Sequence, residues 1–206
     1  MLKSKYLFYI SIPLLLCTLI SISYWDRPIA LFMHRSSLDQ IKQLRYITEY
    51  LPYIIGVLFI TVIVRSKRYI LWLQKIVIII YFYLALYITM EIKTVLKMIF
   101  GRYWPKTWLH NNLSLISNNV YGFNFFHGAD NMGSFPSGHS TYVTFCVIWL
   151  IKICPEARFF FILIGALVPI SLIILDYHFV SDCVGGIILG MNFAVFSICI
   201  YNFWQR

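Results

Sequence analysis

Residues 135–139 read Phe135-Pro136-Ser137-Gly138-His139 and are followed at once by an apolar segment that runs to Ile153. Proline suits the start of a helix, glycine lets the backbone approach a ligand closely, and the free N–H groups of a helix N-terminus favour an anion. Ionisable residues in or near hydrocarbon cost about 2.5–3.5 kcal/mol on insertion scales, so their presence here indicates function. The stretch predicts an active site in which Ser137 and Gly138 bind an anion and His139 donates a proton.

The composition of the chain is that of an integral membrane protein. Its 206 residues are 60% hydrophobic and 12% charged, whereas ordinary soluble domains have about 25% charged residues. A helix needs about 20 apolar residues to span a bilayer, so we predict one all-α domain over residues 1–206, a polytopic membrane helix bundle with about six transmembrane helices. The six apolar segments are Tyr6–Tyr24, Tyr46–Val64, Tyr69–Met90, His139–Ile153, Arg158–Leu175 and Cys183–Phe203.

Two of the connections between these segments have a recognisable pattern. The stretch Asp26–Glu49 alternates charged and apolar residues, with Ile41, Leu44 and Ile47 at helical spacing, which predicts a short interfacial helix. The connection Glu91–Ser137 is rich in aromatic residues, Asn and Gly. Long loops in compact domains are usually functional or disordered, and the apolar content argues against disorder. We expect an extracytoplasmic lid or substrate groove, with an aromatic belt that only anchors the bundle as the alternative.

Basic residues at the segment ends predict the orientation. Under the positive-inside rule the cytoplasmic set is Lys3, Lys5, Arg65, Lys67, Arg68, Lys152, Arg158 and Arg206. We therefore expect a multi-pass protein of the cytoplasmic (inner) membrane whose site faces the periplasm or the exterior. The net charge of +9 is distributed singly or in small groups at the ends of apolar runs, which favours membrane topology and an anionic substrate over a nucleic-acid partner.

Further candidate site residues lie near the ends of other apolar segments. His178 and Asp182 are four residues apart, so on a helix they share a face, where a carboxylate can orient a nucleophilic imidazole. Lys97 and Arg102 follow the third segment, and two cations near two histidines suit a phosphate. Taken singly, a helix-end hydrogen bond and snorkelling cations are the alternatives. No metal site is predicted, because His139, His178 and Asp182 have few further carboxylate partners.

The order of these motifs resembles the type 2 phosphatidic acid phosphatase superfamily of membrane lipid phosphatases. That family has Lys, six residues and Arg-Pro; then Pro-Ser-Gly-His; then Ser-Arg, five residues, His, three residues and Asp. The matching spacing runs through the central and C-terminal parts of the chain, and the positions that match are Lys97, Pro105, Pro136, Ser137, Gly138, His139, Ser171, His178 and Asp182.

The resemblance implies a role for each matching residue. His178 would attack phosphorus to form a phosphohistidine, Asp182 would orient it, and His139 would protonate the leaving alcohol. Lys97 and the backbone of residues 137–138 would hold the nonbridging oxygens, as phosphoryl transfer demands. Neither a metal ion nor an organic cofactor is implied.

Two positions depart from the family pattern, because Trp104 and Leu172 stand where the family has arginines. The departures remove two side chains that could clamp phosphate oxygens bidentately. Arg102 and Lys106 lie two positions on either side of Trp104, and we consider each as a substitute. His127, in the long connection, is a further candidate donor.

The function expected from these residues is a metal-independent membrane phosphatase that hydrolyses a lipid phosphate monoester or pyrophosphate. The substrates considered are lipid A phosphate, polyprenyl pyrophosphate, phosphatidylglycerol phosphate and phosphatidic acid; the aromatic stretch between Trp104 and Phe135 slightly favours lipid A. Two alternatives stay open: a non-catalytic binder or carrier of anionic lipid that lacks the arginines, and a phosphotransferase that passes phosphoryl from lipid to lipid.

Overall fold

A computed structural model describes residues 4–66, 71–107, 111–127 and 133–204, with side chains from residue 11 onward. Apart from two isolated bridges, the secondary structure of these ranges is helical, which confirms the all-α prediction. The α-helices are α1 Ser4–Ile20, α2 Asp26–Arg35, α3 Lys42–Arg65, α4 Trp72–Phe100, α5 Leu115–Asn118, α6 Gly138–Ile153, α7 Arg158–Ile174 and α8 Val180–Trp204.

Five helical segments of the described chain are long and apolar enough to cross a membrane, and they confirm the predicted membrane bundle. The remaining predicted segment, the fourth, is α6, which has 16 residues and is shorter than these spans. Many of its side chains, including Phe145, Trp149 and Leu150, are buried in the core, so it lies in the interior of the bundle, surrounded by the longer helices. The five spans are Ser11–Arg35, Lys42–Arg65, Trp72–Phe100, Pro155–Ile174 and Val180–Trp204.

Residues 26–49, which we predicted as one interfacial helix, are divided between two helices. α2 continues from α1 through the π-helical turn Ser21–Trp25. It ends where Ser37 adopts a left-handed conformation with φ of 56°, which a right-handed helix cannot continue through. The 3₁₀ turn Leu38–Gln40 then leads into α3, which contains the remainder of the stretch.

The third apolar segment extends to Phe100 as α4, past its predicted end at Met90. Residues 91–100 contain neither glycine nor proline, so nothing local interrupts the helix. Gly101 ends it with a left-handed φ of 52°, and its N–H donates to the Lys97 carbonyl oxygen at 2.9 Å. Lys97 therefore lies on the last turn of α4, and the long connection begins at residue 101.

Close contact between α6 and α8 positions the Pro-Ser-Gly-His stretch. A Cβ added to Gly186 would lie 2.5 Å from the Ser137 carbonyl oxygen, and one added to Gly190 would clash with the Thr141 carbonyl oxygen. Small residues four apart allow two membrane helices to approach to backbone contact. At this approach the Ser137 N–H donates to the Asp182 carbonyl oxygen at 3.0 Å, so the start of α6 is fixed against the first turn of α8.

Contacts between loops bring three connections to one end of the bundle. Asp39, between α2 and α3, pairs with Lys106 of the long connection. Arg102, in the same connection, pairs with Asp182 at the start of α8. The α3–α4 and α6–α7 connections follow the other ends of these helices. Of the predicted cytoplasmic residues, Lys3, Lys67, Arg68 and Arg206 lie outside the described residues, and the side chain of Lys5 is not described.

Candidate active site

A cavity of about 710 Å³ lies at the end of the bundle where these three connections meet. It brings together residues of α3, α4 and α6, the end of α7 and the turn before α8. Both predicted catalytic histidines and Lys97 line it. The full lining is Thr48, Glu49, Pro52, Tyr53, Met90, Lys93, Lys97, Trp104, Asn112, Gly133, Gly138, His139, Tyr142, Leu172, Tyr177 and His178.

His178 and Asp182 form the pair that their spacing predicts. His178 Nδ1 lies 3.4 Å from Asp182 Oδ2, and the Phe179 N–H donates to the same oxygen at 2.9 Å. The His178 side chain is almost fully buried, and burial lowers its pKa although the Asp182 carboxylate opposes this effect. A neutral ring with its proton on Nδ1 leaves the Nε2 lone pair for a substrate.

His139 lies on the first turn of α6, on the wall of the same cavity. Its side chain is exposed, so it is accessible to a substrate in a way that the buried His178 is not. Ser137 caps the helix, with its Oγ accepting from the Ser140 N–H at 3.4 Å. Ser137 is fully buried and does not occur among the described residues that line the cavity, so the backbone at the N-terminus of α6, rather than this hydroxyl, is the candidate anion-binding feature of the stretch.

The structure places Arg102 behind Asp182 instead of beside a substrate. Its Nη1 donates to Asp182 Oδ1 at 2.7 Å and its Nη2 donates to Asp26 Oδ2 at 2.6 Å. The side chain is fully buried, and the guanidinium lies 4.8 Å from the ring centroid of Phe123 and 4.7 Å from that of Phe179. Although burial disfavours the charge, the two carboxylates raise the pKa of Arg102. Arg102 does not occur among the described residues that line the cavity. The arginine that we considered as a phosphate clamp instead binds the buried carboxylates of Asp182 and Asp26.

Asp26 is a site-associated residue that we did not select from the sequence. Its Oδ1 accepts from the Ser181 N–H at 3.0 Å, and its Oδ2 accepts from Arg102 and from the Ser181 hydroxyl. It begins α2, directly after the π-helical turn, and such turns are frequent at functional sites. The available signal was an acidic residue at the end of the first apolar segment.

Lys106 and His127 lie away from the cavity. Lys106 Nζ is 2.5 Å from Asp39 Oδ2. His127 is exposed, and its Nδ1 is 2.7 Å from the Phe125 carbonyl oxygen. Neither residue occurs among the described residues that line the cavity.

Lys93 is the cation that our sequence analysis missed. It lies one helical turn before Lys97 on α4, and both lysines line the cavity. A Cβ added to Gly138 would lie 3.9 Å from Lys93 Nζ, so this ammonium is next to the N-terminus of α6. The available signal was the i, i+4 spacing of the two lysines. Of the two, only Lys97 is part of the family motif.

Apolar side chains occupy both positions where the family has arginine. Leu172 is buried and lines the cavity. The Trp104 ring also lines the cavity, where its centroid lies 5.1 Å from the His178 ring and 5.1 Å from Lys97 Nζ. Trp104 therefore packs against the predicted nucleophile and makes a cation–π contact with the motif lysine.

Comparison with known proteins gives the same family as the motifs. Residues 76–206, well over half of the chain, match the PAP2 superfamily. The fold is similar to the crystal structure of the first transmembrane PAP2 type phosphatidylglycerolphosphate phosphatase from Bacillus subtilis, with a TM-score of 0.52, 17% identity, and coverage of 93% of this chain and 96% of that chain. A search of curated proteins found no significant match. The family and the membrane bundle together support a lipid phosphatase, and the chain belongs to the PAP2 superfamily.

Proposed function

We propose that this protein removes phosphate from a lipid phosphate monoester or pyrophosphate through a phosphohistidine on His178. The observation that carries the proposal is the convergence of two histidines, two lysines and the N-terminus of α6 on one cavity. Phosphoryl transfer depends mainly on positioning and on stabilising negative charge. This set of groups supplies a nucleophile, a proton donor and a positive environment for the phosphate.

The reaction has two displacement steps. In the first, His178 Nε2 attacks phosphorus, the P–N bond forms, the bond to the leaving oxygen breaks, and His139 donates a proton to that oxygen. Asp182 accepts the hydrogen bond from Nδ1 and stabilises the cationic ring. In the second, His139 removes a proton from water, the water oxygen attacks phosphorus, and the P–N bond breaks to release inorganic phosphate. No step uses a metal ion.

Lys93 and Lys97 are proposed to bind the nonbridging phosphate oxygens. Their ammonium groups contribute positive charge where Trp104 and Leu172 contribute none. Ammonium groups are point charges on flexible stems, whereas a guanidinium binds two oxygens in a fixed geometry. We therefore expect the phosphate to be held by charge more than by a planar clamp, with the N-terminus of α6 as the directional donor.

A lipid substrate is supported by the apolar part of the cavity wall. Pro52, Met90 and Tyr142 contribute apolar surface from three different helices. Tyr53 lines the cavity and is also 71% exposed on the bundle surface. The cavity wall thus reaches the outer face of α3, where a chain in the bilayer could lie while its headgroup enters. We propose the four lipids considered above as candidates.

The location proposed is the cytoplasmic membrane, with the cavity facing the periplasm or the exterior. Arg65 ends α3, and Lys152 and Arg158 flank the short α6–α7 connection. These basic residues are at the helix ends away from the cavity, as the positive-inside rule requires for such an orientation.

The test is phosphate release by the purified full chain in detergent against lipid A, polyprenyl pyrophosphate, phosphatidylglycerol phosphate and phosphatidic acid. We expect release from at least one lipid, loss of release in His178→Ala, and near-normal release in the control His127→Ala, which changes an exposed histidine outside the cavity. Lipid binding without release from any lipid would favour the carrier. Labelled phosphate on a second lipid instead of in solution would favour the phosphotransferase.

A further inference from the structure

A second cluster of ionisable residues lies outside the cavity, at the same end of the bundle. It consists of His34 at the end of α2, Asp39 in the following 3₁₀ turn, and Asp176 in the turn after α7. One potential ligand atom from each residue lies within 4.8 Å of the others. None of the three lines the cavity, so the cluster is separate from the proposed reaction.

Asp176 is the residue whose environment requires an explanation. Its side chain is 1% exposed, and neither carboxylate oxygen has a hydrogen-bond partner among the described residues. A buried carboxylate without a partner is costly, and such groups are normally paired or bound to a metal. Burial, reinforced by the nearby Asp39 carboxylate, raises the pKa of Asp176 to about 7.

Only one of the two carboxylate oxygens of Asp39 has hydrogen-bond partners among the described residues. Its Oδ2 is 3.0 Å from His34 Nδ1 and 2.5 Å from Lys106 Nζ. Its Oδ1 is buried and has no hydrogen-bond partner among the described residues. Of these two neighbouring carboxylates, only that of Asp39 contacts an ammonium, and three buried carboxylate oxygens have no hydrogen-bond donor among the described residues.

We propose that His34, Asp39 and Asp176 bind a divalent transition-metal ion, with Zn²⁺ and Mn²⁺ as the best-suited ions. One imidazole nitrogen and two carboxylates form a mixed donor set, which suits these ions better than Ca²⁺ or Mg²⁺, whose ligands are oxygens. Two carboxylates and a neutral imidazole balance the charge of a dication. The partly exposed His34 side chain provides an approach from solvent.

Binding would require small rearrangements of groups that are present. His34 Nδ1 must turn its lone pair to the ion, and the Lys106 ammonium, which is partly exposed, must leave Asp39. Asp176 must be ionised, so any proton on it is released on binding. Lys106 is thus a competitor for the site, and this competition distinguishes a metal site from a simple lysine–aspartate pair.

The ion would fasten the α2–α3 connection to the turn that carries the proposed nucleophile. Asp176 precedes His178 by two residues in the turn after α7. His34 lies in the last turn of α2, and Asp39 lies in the 3₁₀ turn that follows α2. The role is structural, since the cluster does not line the cavity.

The test is metal binding by the full chain in detergent, first stripped with chelator and then titrated with Zn²⁺ or Mn²⁺ by calorimetry. We expect one saturable ion per chain, an affinity lowered by about tenfold or more in Asp176→Asn and in His34→Gln, and a higher melting temperature with metal in the wild type alone. Glu156→Gln, an exposed acid elsewhere, is the matched control and should bind normally.

Lys106→Met provides the decisive comparison. A metal site predicts tighter binding in this variant, because the competing ammonium is gone. Absence of saturable binding in the wild type, equal affinity in wild type and Asp176→Asn, or weaker binding in a folded Lys106→Met would each overturn the proposal. Size-exclusion profiles establish folding, and His34→Gln provides the ligand test should Asp176→Asn not fold.

Discussion

The Arg102 guanidinium donates to Asp182 Oδ1 at 2.7 Å, on the carboxylate oxygen opposite to the one that faces His178. The same guanidinium also pairs with Asp26. Asp182 is therefore fixed by one charged partner while its second oxygen remains directed to the imidazole. An arginine that follows the family's motif lysine by five residues holds the carboxylate beside the proposed nucleophile, and we therefore expect the positive charge for the substrate to come from other residues.

Loss of Arg102 should reduce stability more than substrate affinity. Arg102→Ala leaves two buried carboxylates without their charged partner, and breaking a buried ion pair in this way costs about 3–5 kcal/mol. We expect a large drop in the free energy of unfolding, measured by denaturant titration in detergent. The control Arg158→Ala removes an exposed arginine and should change stability by about 0.5 kcal/mol or less. A stable Arg102→Ala protein with only a raised KM would instead assign Arg102 to the substrate.

Lys93 should matter for turnover as much as Lys97 does. Hydrogen bonds to charged groups contribute about 1.5–3 kcal/mol, so Lys93→Gln and Lys97→Gln should each lower kcat/KM by about 10- to 100-fold for the preferred lipid phosphate. Steady-state kinetics across lipid concentrations measure the effect. Lys42→Gln, at an exposed position that starts α3, is the control. Unchanged kcat/KM in Lys93→Gln would show that Lys93 does not bind the substrate phosphate.

An arginine at position 172 should compensate for the loss of Lys93. Leu172 lines the cavity at a position where the family has arginine, so Leu172→Arg can place a guanidinium near the phosphate. We expect Leu172→Arg to raise kcat/KM in the Lys93→Gln background and to give little gain in the wild type, since two lysines already supply the charge. A double-mutant cycle measures this coupling. Equal effects of Leu172→Arg in both backgrounds, in folded protein, would show that the two positions act independently.

The close approach of α6 and α8 should not tolerate a methyl group. Gly186→Ala places a Cβ against the Ser137 carbonyl oxygen, which is backbone and cannot move away alone. The start of α6 would shift relative to Asp182, and we expect lower thermal stability together with loss of phosphatase activity. Cys199→Ala, an exposed small residue on the same helix, should have little effect on either. Normal activity in Gly186→Ala would show that the geometry of the site does not depend on the close approach of α6 and α8.

Local patterns in the sequence predicted the membrane helices, but neither the end of α4 nor the division of residues 26–49 between two helices. Apolar runs predict the membrane helices, and the spacing of His178 and Asp182 predicts their contact. The position of Arg102 depends on Asp26, which is 76 residues away, and no local pattern indicates a pairing over that distance. Likewise, Asp39 and Asp176 come together only through the packing of the loops.

Two further differences have local causes that the apolar pattern does not reveal. The helix break after α2 depends on the left-handed conformation of Ser37. Serine also adopts other backbone conformations, so the residue type alone does not indicate the break. Lys93 lies in a stretch that we expected to be loop, so its alignment with Lys97 on one face of α4 became visible only when the helix was seen to reach Phe100.

The central claim is that His178 becomes covalently phosphorylated, and trapping that intermediate tests it most directly. A lipid substrate labelled with ³²P on its terminal phosphate is mixed with excess protein, denatured at successive times, and the protein-bound label is assayed for stability. We predict a transient label that is stable in alkali and labile in acid, as expected for phosphohistidine, and that is absent in His178→Ala. Label that persists in His178→Ala, or complete hydrolysis of the lipid with no labelled protein at any time, would contradict it.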